Sequence, residues 1–265
     1  MPDFPAELVE RARALRDGRI EPARPRDAAT VVLLRDAVAG PEAYLLRRVK
    51  AMAFAAGMHV FPGGSVDPAD ASTDLAWAGP PVAWWAQALG ADEPLARSLV
   101  CAAVRETFEE CGVLLAGPSG EELLADVSSD EWEAERAALE AREQSLSELL
   151  ARRRLVLRAD LLRPLAHWVT PELEPKRFDT RFFLAAMPAG QRARHVGGEA
   201  DARVWLRPQD ALDRDLAMMR PTSDTLAGLA GAPDVATAMD TTRTLTPVQP
   251  HFELDAADEL RLVVP

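Results

Sequence analysis

Apolar and polar positions alternate in two rhythms along this chain. ATVVLLR (29–35) and EAYLLRR (42–48) are short apolar runs on either side of the turn signal DAVAGP, and they predict two strands. GMHVFPGG (57–64) predicts another strand running into a glycine turn. A helical rhythm at Phe4, Leu8, Ala12 and Leu15 predicts a helix over 4–17. It returns over 94–111, where Pro94 suits the first turn and Gly112 suits the stop. AHWVTP (166–171), RFDTRFFLAAMP (177–188) and ARVWL (202–206) resume the strand pattern. PQDALD and PTSDTLAGLA predict short closing helices, and LRLVVP a late strand.

Two stretches interrupt this order. Residues 71–93, rich in Trp, Ala and Pro, are expected to loop out and wall a pocket. Residues 121–152 are helical and charge-dense, and are expected to be mostly solvated. The predicted fold class is α+β, a mixed sheet with flanking helices. One domain is expected over 1–265, with insertions at 71–93 and 121–160.

Composition narrows the function classes. Net charge is −12, so the basic face that non-specific nucleic-acid binding needs is not expected. Any phosphate ligand must be met by a few arginines or by metal. No apolar run long enough for a transmembrane helix occurs, and the N-terminal stretch lacks a signal-peptide centre. Cys101 and Cys111 lie on one predicted helix, ~15 Å apart along its axis, too far to bridge. A reduced, cytoplasmic compartment is the expectation.

The stretch RETFEECGV (105–113) carries the chemistry. At helical spacing Glu106, Glu109 and Glu110 share an arc of about 100°. Ala102 and Ala103 lie on the same arc and are small enough to leave room above it. Val100, Cys101, Val104, Phe108 and Cys111 form the opposite, core-facing stripe. Like charges at this spacing repel, so an isolated cluster of this kind reads as a solvated acidic face. Beside glycine backbone it also reads as a set of hard oxygen ligands suited to Mg2+ or Mn2+.

RETFEECGV resembles the second half of the Nudix box, R-E-U-x-E-E-x-G-U with U apolar, and departs from it only at Thr107. Gly64-SVDPA-Asp70 resembles the first half, with Asp in place of Glu. Residues 71–104 stand between the halves, so the box is split. The resemblance covers roughly 29–206 and implies a Nudix-type α/β/α sandwich. It implies hydrolysis of a diphosphate linkage by metal-assisted water attack on a nucleoside diphosphate derivative. By the same resemblance Glu106, Glu109 and Glu110 match the metal ligands, and Gly63 and Gly64 supply the glycine carbonyl ligand. Arg105 is expected to orient a carboxylate within the catalytic group.

Outside the box, the resemblance implies an additional acid, for which Glu199 is favoured over Asp201, Glu172 and Glu174. Arg177 and Arg181, read as one side of a strand, are candidates for phosphate. Trp84, with Trp85 and Trp168, is a candidate for stacking on a base, against the ordinary reading as packing. His59, His167 and His195 lack metal-ligand spacing and are expected to be incidental.

Ahead of the box, Leu45, Arg48, Gly57 and Phe61 through Gly64 match a motif of coenzyme A diphosphatases. Tyr44, Leu46, Val49 and Ala53 depart from it. The split box also resembles the acyl-coenzyme A diphosphatase branch. Coenzyme A or acyl-coenzyme A is therefore one expected substrate, with Arg48 among its binding residues. ADP-ribose and dinucleotides are the alternatives, and a non-catalytic nucleotide-sensing domain is the reading from another class. The partner is expected to be a small nucleotide-diphosphate molecule, with no membrane, and room is left for a homodimer.

Overall fold

In the central strands the runs 31–34 and 182–185 are apolar at every position because both faces are covered. The computed structural model describes residues 4–49, 55–194, 200–255 and 259–265. Helices form at α1 (Ala6–Arg16), α2 (Val82–Leu89), α3 (Glu93–Cys111), α4 (Asp130–Glu140), α5 (Leu146–Arg153), α6 (Pro208–Asp213), α7 (Arg220–Leu229) and α8 (Val235–Asp240). Strands form at β1 (Arg26–Arg35), β2 (Glu42–Arg48), β3 (His59–Val60), β4 (Gly63–Ser65), β5 (Trp77–Ala78), β6 (Ala116–Gly117) and β7 (Val156–Arg158). They continue with β8 (Leu162–Val169), β9 (Phe178–Ala186), β10 (Ala200–Leu206), β11 (Pro247–Val248), β12 (His251–Leu254) and β13 (Leu260–Val263).

The main sheet runs β10-β2-β1-β9-β8-β11, with β3 added to β2 and β4 to β1. β1 and β9 are parallel, with Arg26 opposite Phe178 and Leu34 opposite Ala186. The β1–β2 and β8–β9 pairs are antiparallel, so the sheet is mixed. Alternate residues serve two cores. Val31 and Leu33 of β1, Tyr44 of β2 and Phe183 of β9 pack with α3 on one face. Val32 and Leu34, Leu45, and Phe182 and Leu184 pack with α6, α7 and α8 on the other. The α+β fold class stands, with a helical layer on each face.

Local chemistry fixes the central helix. Asp92 caps the start of α3 by accepting from the Leu95 N–H at 2.8 Å, with Pro94 in the first turn. Gly112 ends it in the left-handed region at φ 65°. The stripe Val100, Cys101, Val104, Phe108 and Cys111 is buried as its periodicity predicts. Ala102 and Ala103 are buried too, so no open space lies above them. α3 is enclosed almost all round, and its glutamates face an internal cavity rather than bulk water.

The expectation for 71–93 needs correcting, and that for 121–152 is incomplete. Residues 71–93 do not wall the cavity. They form β5 and α2, with Trp85 buried against Phe183, and β5 pairs with β7. Most positions of the 121–152 stretch are exposed or partly exposed, as expected, but one side of it is not. Its two helices bury Leu139, Leu146, Leu149 and Leu150 in the core shared with α3, and the turn between them faces the cavity. Charge density does not reveal that side because buried Glu135 and Arg136 hold partners rather than water. Gln144 and Arg153 donate to Glu135, and Arg136 pairs with Glu133 and Glu140. The helix α8 was not anticipated, and the late strand β13 pairs with β12. Among the described residues no helix is long and apolar enough to cross a membrane.

Candidate functional site

A cavity of about 820 Å³ opens beside the central sheet. At one end of it the glycine turn between β3 and β4 meets the last turns of α3. β4 pairs with β1, with Thr30 opposite Gly63 and Ala29 opposite Gly64. That pairing presses the glycine backbone onto the helix. The Gly63 N–H donates to Oε2 of Glu110 at 2.9 Å. A Cβ built on Gly64 would lie 2.4 Å from Oε1 of Glu106, so any larger residue would have to push this carboxylate aside.

Arg105 organises the cluster. Its Nε and Nη2 donate to both oxygens of Asp70 at 3.0 Å each. Nη1 donates to Glu106 at 2.8 Å and to Glu109 at 3.2 Å, and Nη2 also reaches the Ser65 carbonyl at 3.0 Å. Each donor of the guanidinium fork is thereby engaged by the protein. Burial alone would depress the Arg105 pKa, but Asp70 and the flanking glutamates outweigh it and hold the group firmly charged. Asp70, 35 residues earlier in the chain, is itself buried and fixed by the Asp67 N–H at 2.8 Å. The two halves of the split box therefore meet through this pair.

The carboxylates carry an electrostatic cost. Burial is the main cause that pushes Glu106 up to about 7, with Arg105 opposing and Glu109 adding to the rise. Burial likewise raises Glu109 and Asp70 despite Arg105. A further cation among these oxygens would relieve that cost, and carboxylate oxygens with a close glycine backbone are the hard donors a divalent ion takes. Among the described residues no group of three or more His, Cys, Asp or Glu side chains is gathered as a ready metal cage. Arg105 stands between Glu106 and Glu109, and Glu110 is turned onto the Gly63 N–H.

The remaining expected residues divide sharply. Arg48, Trp168 and Glu174 line the cavity with the glutamates, Gly63, Gly64 and Arg105. Trp84 does not. It stays 41% exposed on α2 and packs edge-on against Trp85 at 4.9 Å. Arg177 is buried outside the cavity, donating to the carbonyls of Thr170 and Ala23 at 3.0 and 2.8 Å. Arg181 pairs with Asp179 and donates to the Leu89 carbonyl that ends α2. The pleat explains the error, since Thr180 and Phe182 of β9 turn toward the cavity and residue 181 must turn away.

Glu199 and His195 lie outside the described residues. Asp201 is held by Arg47 at 2.7 Å, and Glu172 is exposed away from the cavity. His167 is buried and bonded to Asp179 at 2.6 Å, an incidental role as expected. Cys101 and Cys111 are both free and buried. Arg142 and Gln144 on the α4–α5 turn, and Lys176 before β9, also line the cavity and were not anticipated. Their signal is faint in sequence, because a charged turn reads the same whether it borders a cavity or solvent.

The family model described as NUDT19 Nudix domain matches residues 85–218. A crystal structure of a Nudix hydrolase from Alicyclobacillus acidocaldarius is 32% identical, with a TM-score of 0.70, covering 84% of this chain and 98% of that one. The acyl-coenzyme A diphosphatase NUDT19 of Gallus gallus is 28% identical over 241 aligned residues, 71% of this chain and 62% of that protein. Its Xenopus laevis counterpart is 24% identical over 205 residues, covering 65% and 54%. The chain thus spans less than two thirds of the length of either relative.

Proposed function

We propose that this chain, which belongs to the Nudix family, hydrolyses the diphosphate linkage of a nucleoside diphosphate derivative with the help of a divalent cation. The observation that carries the reading is the closure of Gly64 onto Glu106, which brings three box glutamates and a glycine backbone to one end of a cavity large enough for a nucleotide. Glu106, Glu109 and Glu110, with the Gly63–Gly64 backbone, would hold Mg2+ or Mn2+. When bound, such an ion offsets the charge of diphosphate oxygens and lowers the pKa of a coordinated water.

The chain's own residues do the rest. Arg105 gives its donors to Asp70, Glu106 and Glu109, so its part is to orient those carboxylates. Arg48 lies in the cavity wall, where a guanidinium can meet a substrate phosphate. Trp168 and Phe178 give an apolar wall that can exclude water and stack on a base. Of the acids expected outside the box, Glu174 borders the cavity, alongside Glu140, Glu143 and Glu148, and can take a proton from the attacking water. Glu199 keeps the same candidacy on sequence grounds.

Coenzyme A or an acyl-coenzyme A is the favoured substrate, supported by Arg48 in the cavity and by similarity to two vertebrate acyl-coenzyme A diphosphatases. ADP-ribose and dinucleotides are the second reading. The test is a product-resolved hydrolysis screen of coenzyme A, an acyl-coenzyme A, ADP-ribose and a diadenosine polyphosphate, with Mg2+, with Mn2+ and with chelator. Metal-dependent release of two phosphate-bearing halves is the expected result. Tight binding without turnover of any of them would replace the enzyme reading by nucleotide sensing.

A further inference from the structure

The turn that joins α4 to α5 closes one side of the cavity, and its backbone is unusual where it does so. Arg142 has φ +59°, in the left-handed region that favours glycine. Its N–H donates to the Leu139 carbonyl at 2.9 Å, and the Glu143 N–H to the Ala138 carbonyl at 2.8 Å. This is the pair of bonds that closes a helix over a left-handed residue, a place usually given to glycine. Gly90 and Gly112 fill the same left-handed position after α2 and α3. Here an arginine takes it, with its side chain 83% exposed.

The guanidinium is only loosely engaged. Its ion pair is with Asp67 at 3.9 Å, beyond hydrogen-bond distance, and not with its chain neighbour Glu143. Arg48 already has a phosphate role above, and the remaining cavity cations are more committed. Arg105 is held by carboxylates, Arg220 bonds Asp224 at 3.1 Å, and the Lys176 ammonium sits over the Phe178 ring at 5.3 Å. Asp67 also shows which end of the cavity Arg142 is near. It is joined through a reciprocal capping box to Asp70, which grips Arg105 between the glutamates. Arg142 therefore belongs to the glutamate end of the cavity rather than to its apolar end.

We propose that Arg142 is a substrate-binding residue that takes a phosphate of the nucleoside diphosphate ligand, so that the α4–α5 insertion contributes directly to specificity. The inference rests on the hydrolase reading above. A polyanion entering a site lined by Glu106, Glu109 and Glu110 needs a cation with donors to offer, and Arg142 can exchange a long contact with Asp67 for charge-assisted bonds to phosphate. The strained backbone holds the arginine at the mouth while the closing bonds of α4 keep the turn rigid.

Arg154 supplies the matching control. It ends α5 at φ +55° with the same pair of closing bonds, Arg154 N–H to Ala151 and Leu155 N–H to Leu150, and does not line the cavity. Arg142→Gly and Arg154→Gly both relax a left-handed position, so both variants should fold with a melting temperature that holds or rises. KM and kcat would be measured with Mn2+ for coenzyme A and ADP-ribose. Kd for both compounds would be measured by calorimetry in chelator. Arg142→Gly is expected to raise KM and Kd about tenfold, the scale of one lost charge-assisted contact, with kcat within about twofold. Arg154→Gly should change none of these, and Arg142→Lys should recover part of the loss. If wild type cleaves a substrate and the two glycine variants behave alike, this proposal falls while the hydrolase reading stands. If wild type neither cleaves nor binds any nucleoside diphosphate derivative, both fall.

Discussion

Gly64 lies directly beneath Glu106, so closely that an added Cβ would sit 2.4 Å from its Oε1. The φ of Gly64 is not in the left-handed region, so Gly64→Ala tests packing alone. Glu106 is buried and held by Arg105, and cannot swing aside freely. The substitution should cost about 1–3 kcal/mol through overpacking and lower turnover at least about tenfold by displacing a carboxylate proposed to hold the metal. Calorimetric melting and metal-dependent hydrolysis measure the two effects. Unchanged turnover would mean that the position of Glu106 does not matter to catalysis.

Glu109→Gln keeps volume and helix propensity while removing one charge from the cluster. Turnover should fall by about two orders of magnitude or more if Glu109 helps to hold the metal. Burial holds the Glu109 pKa above its ordinary value, so its charged form is a burden on the metal-free fold. The melting temperature in chelator should therefore hold or rise. A variant that loses both activity and stability would instead mark Glu109 as part of a structural network.

The metal-free protein should lose stability as pH rises through neutrality. Burial raises Glu106 from 4.5 to about 7, so the folded state keeps a proton that the unfolded state has already released. The resulting stabilisation is full below about pH 4.5 and is lost as pH climbs through about 7. Melting curves in chelator between about pH 5 and 8 should fall more steeply for wild type than for Glu106→Gln. Parallel curves would show that Glu106 titrates at its ordinary value.

Arg181 and Trp84 should prove unimportant for substrate. Breaking the buried contacts of Arg181 with Asp179 and the Leu89 carbonyl by Arg181→Met should cost about 2–3 kcal/mol, below the full value for a buried pair because Asp179 is partly exposed. KM of the folded variant should stay within about twofold, as should KM of Trp84→Ala. A large rise in KM for either, with stability intact, would put that residue back at the substrate.

The sequence by itself determined the local pieces and the chemistry. Apolar runs marked β1, β2 and β9, Pro94 and Gly112 bounded α3 closely, and the spacing of Glu106, Glu109 and Glu110 required a shared face. Those signals depend on neighbours within a few residues, which is the range that propensity and periodicity report. Contacts between distant segments were decided only by the tertiary structure. Which sheet face the cavity borders sent Thr180 toward it and Arg181 away, although both sit on one short strand. Both insertions pack against α3, but only the turn between α4 and α5 reaches the cavity, while 71–93 does not, against the expectation from composition. Asp70 and Arg105 meet across 35 residues because the Asp67–Asp70 capping box, the β1–β4 pairing and the burial of α3 converge there. Burial then turned an acidic stripe that would be ordinary in solvent into a group of carboxylates with raised pKa, since desolvation penalises charge only once the surrounding layers have closed.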